Sequence, residues 1–282
     1  MIVEIPGFDL PLTAASGQSF RFVQRDGGAY SLIAKGHQVT IHQTGRDRFD
    51  FSCTPEEFAS LWHDYFDLDT DYSTILNLVP PDGSYLHRAV LYAGGIRILR
   101  QEPFETLISF IISQRKNIPA IQFCVNQLCS RFGEAIGENA FAFPAPEALA
   151  GASMEELAGC SLGYRAKYIQ QTARMIASAQ VGLDSLHPLP DDELQAALTG
   201  FPGVGEKVAA CVMLFAYRRM DAFPVDVWIK RVLQTEYPDG FPFGLYKGSA
   251  GMLQQMLFCY ARSQAVKVRP APQTCKAGNP TV

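Results

Sequence analysis

The sequence predicts an α+β chain: a small antiparallel β-sheet domain at the N-terminus, then a mostly α-helical domain containing a helix–hairpin–helix. Three observations carry that prediction. Apolar residues alternate with mostly polar neighbours through the first 52 residues, the period of half-buried strands. From residue 54 the apolar spacing becomes i, i+3, i+4, i+7, the period of amphipathic helices. Late in the chain, Pro202-Gly203-Val204-Gly205 interrupts the helical pattern with a tight turn. The domains expected are residues 1–103, a sheet with flanking helices, and 104–264, the helical domain. Residues 265–282 are expected to be a disordered tail.

Taken in order, Phe20 and Phe22, Tyr30 and Leu32, Val39 and Ile41, and Phe49 and Phe51 mark the strands of a meander. Asp26-Gly27-Gly28, Gly36-His37 and Thr44-Gly45-Arg46 are its hairpin turns. Thr54-Pro55-Glu56-Glu57 places an N-cap, a proline at the first helical position and a Glu at the third, starting a helix through Leu61 and Tyr65. Pro103 opens another, with Phe104, Leu107, Ile108 and Ile111 on one face. Further helices are expected near 118–131, 154–160, 165–180, 191–199, 206–218, 226–235 and 249–263, and every element after the sheet is read as helical. From Val266 onward, Pro270, Pro272, Gly278 and Pro280 stand among few apolar residues.

Composition narrows the function classes. The 282 residues carry 24 Lys+Arg against 28 Asp+Glu, and 48% are hydrophobic, as in a folded soluble chain. At this length roughly 75% of the unfolded surface is buried on folding. The longest apolar run, Val208 to Ala216, is far short of the ~20 residues of a membrane span, and the N-terminus has no secretory pattern. Seven cysteines at irregular gaps, without a C-x-x-C pair, and five histidines without H-x-x-x-H argue against a metal or iron–sulfur site and fit a reducing cytoplasm. No cofactor and a monomer are expected. The overall acidity gives no support to a nucleic-acid partner, but no acidic residue follows Asp239, while Lys247, Arg262, Lys267, Arg269 and Lys276 do. A local basic face and a solvated tail both remain open.

The chemistry concentrates in Leu198 to Ala216. Gly203 and Gly205 permit a turn whose N–H groups converge at the positive end of the following helix, a site suited to a DNA phosphate. A plain helix–turn–helix connection is the alternative. Lys207 lies in the first turn of that second helix, where the dipole and any burial favour a neutral, nucleophilic amine. Asp226, in Phe223-Pro224-Val225-Asp226-Val227-Trp228, is placed to cap the next helix. If the two helices fold together, its carboxylate can face Lys207 and stabilise positive charge on a sugar. A solvated lysine and a simple cap stay open on residue types alone.

Gly203-Val204-Gly205-x-Lys207 followed by Pro224-Val225-Asp226-Val227 resembles the helix–hairpin–helix DNA glycosylase superfamily, and a lysine at 207 resembles its bifunctional members. Ser16-Gly17-Gln18-Ser19-Phe20-Arg21, Arg97 to Pro103, Phe110 to Ser113, Leu162 to Tyr168 and Gln254-x-x-x-Phe258 resemble, in order, segments of the 8-oxoguanine DNA glycosylases, in their shorter bacterial branch. Together they cover residues 12 to 262. The resemblance implies that the damaged base is flipped out of the duplex. Lys207 then attacks C1′, expels the oxidised base as a Schiff base forms, and β-elimination nicks the strand. Asp226 activates the lysine. Gly17 offers its carbonyl to the N7–H that guanine lacks, Cys211 and Phe258 sandwich the base, and Gln254 bonds its Watson–Crick edge. Tyr164 wedges into the gap, Arg165 contacts the orphaned cytosine, and Asn117 with the hairpin residues Gly203, Val204 and Gly205 binds DNA.

The sequence departs from the family at three places. Arg115 stands where an asparagine normally fills the vacated space, so that Arg115 and Lys116 add phosphate affinity instead. Ala120 stands where many members carry a second arginine to the opposite cytosine, and Trp228 replaces a histidine of the eukaryotic branch. Weak discrimination for cytosine follows. The competing readings are a monofunctional glycosylase for alkylated bases, against which Lys207 argues, and a non-catalytic helix–hairpin–helix module that binds only phosphates. The expected setting is a prokaryotic cytoplasm, at the nucleoid through DNA.

Overall fold

Apart from Phe20, which precedes the strand beginning at Phe22 and packs in the helical core edge-on to Phe110, the alternating apolar residues of the N-terminal region form the sheet their spacing predicts. In this computed structural model, which describes residues 1–268, strands β1 (Ile2–Glu4), β2 (Phe22–Gln24), β3 (Tyr30–Ala34), β4 (His37–Gln43) and β5 (Arg48–Phe51) are antiparallel in the order β1-β5-β4-β3-β2. Leu32 pairs with both Phe22 and Val39, and Ile41 with both Tyr30 and Phe51. One face therefore collects Phe22, Leu32, Val39, Ile41, Phe49 and Phe51 into a buried core. Two features have no counterpart in the predicted pattern. β1, too short to display a period, closes the sheet by pairing Val3 with Phe49. A short helix, α1 (Leu10–Ala15), is capped by Asp9, whose Oδ1 accepts from the Leu12 amide at 2.8 Å.

Thr54 caps the next helix as expected, its Oγ1 accepting from the Glu57 amide at 3.1 Å. That helix is not continuous. Between α2 (Pro55–Glu57) and α3 (His63–Tyr65) it widens into a π turn over Phe58–Trp62, which sets Phe58 and Trp62 into the sheet's core.

The second core is helical: α4 (Tyr72–Leu76), α5 (Tyr85–Ala93), α6 (Pro103–Ser113), α7 (Ile118–Phe132), α8 (Pro146–Gly151), α9 (Met154–Ala158), α10 (Arg165–Ala177), α11 (Asp191–Thr199), α12 (Glu206–Phe215), α13 (Val227–Glu236) and α14 (Ala250–Val268). The expectation that everything after the sheet is helical is corrected by a two-stranded ladder of β6 (Ala135–Gly137) and β7 (Ala140–Phe141). α12 ends at Phe215 rather than 218, because the chain turns there and Arg218 adopts φ 53°. α14 runs past its expected end at 263 to Val268, into the first residues read as tail; the remainder of that tail, from 269, lies outside the described residues. α6 is buried nearly all round and packs on α7, α10 and α12, so its C-terminal end opens among them. Among the described residues no helix is long and apolar enough to cross a membrane.

The two cores are tied by Asp67, whose side chain is wholly buried. It accepts from Arg100 Nη2 and Tyr72 Oη, each at 2.8 Å, and pairs with Arg218 Nη1 at 2.7 Å just beyond α12. Burial pushes its carboxyl up, but Arg218, Arg100 and Tyr72 outweigh that and hold it below the usual aspartate value. The stabilisation is thus present above the ordinary pKa and lost as pH falls through the lowered one. Asp67→Asn should cost about 2–3 kcal/mol, a Tm drop of roughly 5–10 °C in a neutral-pH thermal melt, because two guanidinium groups lose their counter-charge. An unchanged melt would refute this tie between the domains.

Candidate active site

The loop after α6 and the N-termini of α12 and α13 meet α14 and the Ser16-Gly17 turn around a cleft of about 880 Å³. Eight residues singled out from the sequence line it: Lys207, Asp226, Gly17, Cys211, Gln254, Phe258, Arg115 and Asn117. They come from five separate chain segments, and only folding places them together.

The hairpin between α11 and α12 closes with the Val204 amide donating to the Phe201 carbonyl at 3.0 Å. Gly203 is required twice over. Its φ is 78°, and a Cβ there would sit 2.7 Å from Cγ of Tyr168. Its carbonyl accepts from Gln114 Nε2 at 2.9 Å, which locks the hairpin to the loop after α6. Gly205 is the N-cap of α12, in extended conformation and with no side chain covering the first-turn amides. That open, positive helix end is an anion site in form. Val204 itself is buried in the core, so it can offer a ligand only its main chain.

Lys207, half-buried in that first turn, extends its Nζ to 5.0 Å from the centroid of the Phe110 ring. Asp226 caps α13 as predicted: Oδ1 accepts from the amides of Trp228 at 3.0 Å and Ile229 at 2.9 Å. Its second oxygen, Oδ2, makes no hydrogen bond to the described protein. Burial is the largest influence on this carboxyl and raises its pKa, while the Ile229 amide, Lys207 and Arg262 pull it back. The lysine and the aspartate line the same cleft without a direct ion pair, and the Lys207 charge pulls on the Asp226 carboxyl.

Gly17, Cys211, Gln254 and Phe258 line the remaining walls. Gly17 sits at φ 76°, a conformation that strains any other residue, and a Cβ there would press on Ile118 Cδ1 at 3.1 Å. Among the described residues, no backbone amide bonds the Gly17 carbonyl. Cys211 is buried, and that burial raises its thiol pKa against the pull of the Lys207 charge. Phe258 is backed by the Arg262 guanidinium, 5.2 Å from its ring centroid. Arg262 also donates from Nη1 to the Ala15 carbonyl at 2.9 Å, tying α14 to the turn that carries Gly17. Gln254 is only 2% exposed, and both ends of its amide are engaged by the protein.

Outside the cleft, Tyr164 projects from the start of α10, 53% exposed and edge-on to Tyr168, the ring beneath Gly203. Arg115 is exposed at φ 54°, and Asn117 caps α7 through the Ala120 amide at 2.9 Å. Arg165 departs from its expected role. It is 6% exposed, stacked 4.4 Å from the Tyr164 ring centroid, and its guanidinium donates inward to the carbonyls of Gln114 and Leu162. In this arrangement it braces Tyr164 and the loop after α6 instead of facing outward, because buried carbonyls capture its donors.

Sequence reasoning passed over Lys230, Gln255 and, as a cleft residue, Arg262, and it gave no role in the cleft to Phe110 or Trp228. Lys230 and Arg262 each stand four residues after a recognised site residue, the one available signal. With them the cleft gathers Arg115, Lys116, Lys207, Lys230 and Arg262 against a single carboxylate, Asp226. An acidic chain thus presents a locally positive groove, the electrostatic footprint of a polyanion site.

Two family profiles match the chain in tandem: 8-oxoguanine DNA glycosylase, N-terminal domain, over residues 2–107, and HhH-GPD superfamily base excision DNA repair protein, over residues 108–238. Among solved structures, MBOgg1 in complex with a low-affinity DNA ligand superposes with a TM-score of 0.88 at 36% identity, covering 94% of this chain and 96% of that one. The Clostridium acetobutylicum 8-oxoguanine glycosylase/lyase, in complex with dsDNA containing cytosine opposite 8-oxoG, superposes with a TM-score of 0.85 at 34% identity, covering 94% and 98%. The Arabidopsis thaliana N-glycosylase/DNA lyase OGG1 is 32% identical over 233 residues, which span 78% of this chain and 64% of that relative.

Proposed function

The chain belongs to the 8-oxoguanine DNA glycosylase family, and we propose that it is a bifunctional glycosylase and abasic-site lyase that excises 8-oxoguanine from duplex DNA. The observation that carries this reading is the convergence of Lys207 and Asp226, each from the N-terminus of a different helix, on a slot bordered by the unengaged Gly17 carbonyl. The hairpin amides and the cationic rim would hold the phosphates, and the flipped base would enter between Cys211 and Phe258.

In the reaction that follows, the Lys207 amine gives up a proton and bonds C1′. The C1′–N9 bond breaks, its electron pair leaves with the base, and the base takes a proton. Opening of the sugar yields the imine, and loss of a C2′ proton expels the 3′-phosphate. Asp226 is suited to receive the lysine proton and to offset positive charge on the sugar, since a raised pKa makes it a better base than an ordinary aspartate. The Gly17 carbonyl, lacking a partner among the described residues, can accept the N7–H of 8-oxoguanine but would face a lone pair on guanine. Such an unpaired contact costs about 1–3 kcal/mol, which supplies selectivity. Free and mostly buried thiols fit a reducing compartment, and action on DNA would place the chain at the genome.

Borohydride trapping on duplexes with 8-oxoguanine opposite each of the four bases tests the proposal. A covalent complex is expected with all four, at rates within about tenfold of one another, because Ala120 supplies no arginine to the opposite base. DNA binding with neither base release nor trapping would leave only a binding module. Release without trapping would point to a monofunctional glycosylase.

A further inference from the structure

Two groups of the cleft that must act on one base come from opposite ends of the chain. Gly17 follows α1 in the N-terminal region, while Phe258 stands on α14, the last helix. They are near neighbours: a Cβ on Gly17 would lie 3.6 Å from Phe258 Cε1. Contact of that kind is attractive but has no direction, so it does not fix the turn against the ring. Arg262 supplies a directional link. It follows Phe258 by four residues on α14, the spacing that places two side chains on one helix face. Its guanidinium sits 5.2 Å from the centroid of the Phe258 ring, and Nη1 donates to the Ala15 carbonyl at 2.9 Å. Ala15 is the last residue of α1, where helix carbonyls lack an intrahelical partner, and it stands two residues before Gly17. One planar cation thus grips the turn that carries the Gly17 carbonyl and lies against the ring beside it.

On the reading that this cleft receives 8-oxoguanine, we infer that Arg262 is a positioning residue that clamps α14 to the end of α1 and so holds the Gly17 carbonyl in register with the Phe258 ring. A base stacked on Phe258 carries its N7–H in its own plane, and a hydrogen bond weakens steeply when the acceptor leaves that line. A slip of the turn against the helix would cost this bond without displacing Lys207 or Asp226. The clamp therefore acts on the seating of the base and leaves the nucleophile alone. Arg262 also belongs to the cationic rim, and that contribution to DNA affinity drops out once the duplex is fully bound.

The test uses the full chain as wild type, Arg262→Met and Arg262→Lys, in single-turnover reactions at saturating enzyme. The substrates are 8-oxoguanine opposite cytosine and a preformed abasic site in the same duplex. Cleavage at the abasic site draws on the same lysine but seats no base. Arg262→Met should lower excision about tenfold, the worth of one misaligned hydrogen bond, and abasic-site cleavage by less than about threefold. Arg262→Lys keeps a charged donor near the Ala15 carbonyl and should recover part of the excision rate. Arg262→Gln, too short to reach Ala15, takes the place of methionine should that variant melt too low to assay. Equal losses on both substrates would mark a general packing defect, and a loss that vanishes at saturating enzyme would mark a phosphate contact alone. Either result, an undiminished excision rate, or a lysine variant no better than the neutral ones would overturn the inference. A wild type that excises no 8-oxoguanine would overturn the proposed function, and this inference with it.

Discussion

Lys207→Gln is expected to bind lesion-containing duplex with near wild-type affinity, form no borohydride-trapped complex and lose base excision by on the order of 10³-fold or more. The amine is the nucleophile in the proposed reaction, and of the three lysines that line the cleft it alone stands in the first turn of α12, on the Phe110 ring. The substitution should not unfold the chain. Lys207 makes no ion pair, sits half-buried in the first turn of α12, and places a cation at the positive end of that helix, where it is mildly unfavourable. Its melting temperature should therefore equal or slightly exceed that of wild type. Gel-based trapping, single-turnover excision and a thermal melt measure the three outcomes. A trapped complex in the variant would rule out Lys207 as the nucleophile.

Asp226→Asn should separate catalysis from folding more sharply. The amide oxygen of asparagine can still accept from the Trp228 and Ile229 amides, so the cap on α13 survives. The carboxylate that accepts the lysine proton does not, and excision should fall by on the order of 10²–10⁴-fold. Burial raises the Asp226 pKa in the folded protein, so ionising it opposes folding. That cost grows as pH rises from the ordinary aspartate value through the raised one, and it is absent in acid. At pH 7 the variant should melt at a higher temperature than wild type, and the difference should vanish below about pH 4. The wild-type pH–rate profile should show an acidic limb displaced above the ordinary aspartate value, missing from the residual activity of the variant. A variant that melts lower at pH 7 would mean that the asparagine fails as a cap.

Much of this molecule was legible in one dimension because the physics behind it is local. The period-two spacing of Phe22 to Phe51 needs one apolar face and no knowledge of the rest. The caps at Thr54 and Asp226 each depend on a side chain and an amide two or three residues away. The hairpin glycines announce a turn wherever they occur. Elements without a period escaped: three-residue β1 becomes a strand only because β5 offers it an edge, and β6 and β7 pair across a turn among helices. The π turn at Phe58–Trp62 likewise answers to the sheet beneath it and leaves no mark in the sequence.

The residue types of the site, Lys207 and Asp226 above all, were readable from the chain, as were the fold class and the element that presents each of them. Their meeting in one cleft was decided by α6, whose burial on nearly every side draws α12, α10 and α7 around its end. Direction, too, belongs to the tertiary structure. Arg165 beside Tyr164 reads as a pair of outward contacts, yet the Gln114 carbonyl, 51 residues away, turns its guanidinium inward. Gln254 reads as a free amide on a helix until Pro224, brought across from another segment, and Gln255 take up the two ends of its side chain. A sequence specifies which donors and acceptors exist. Which of them remain unpaired depends on partners distant in the chain, and a binding site is made of those left over.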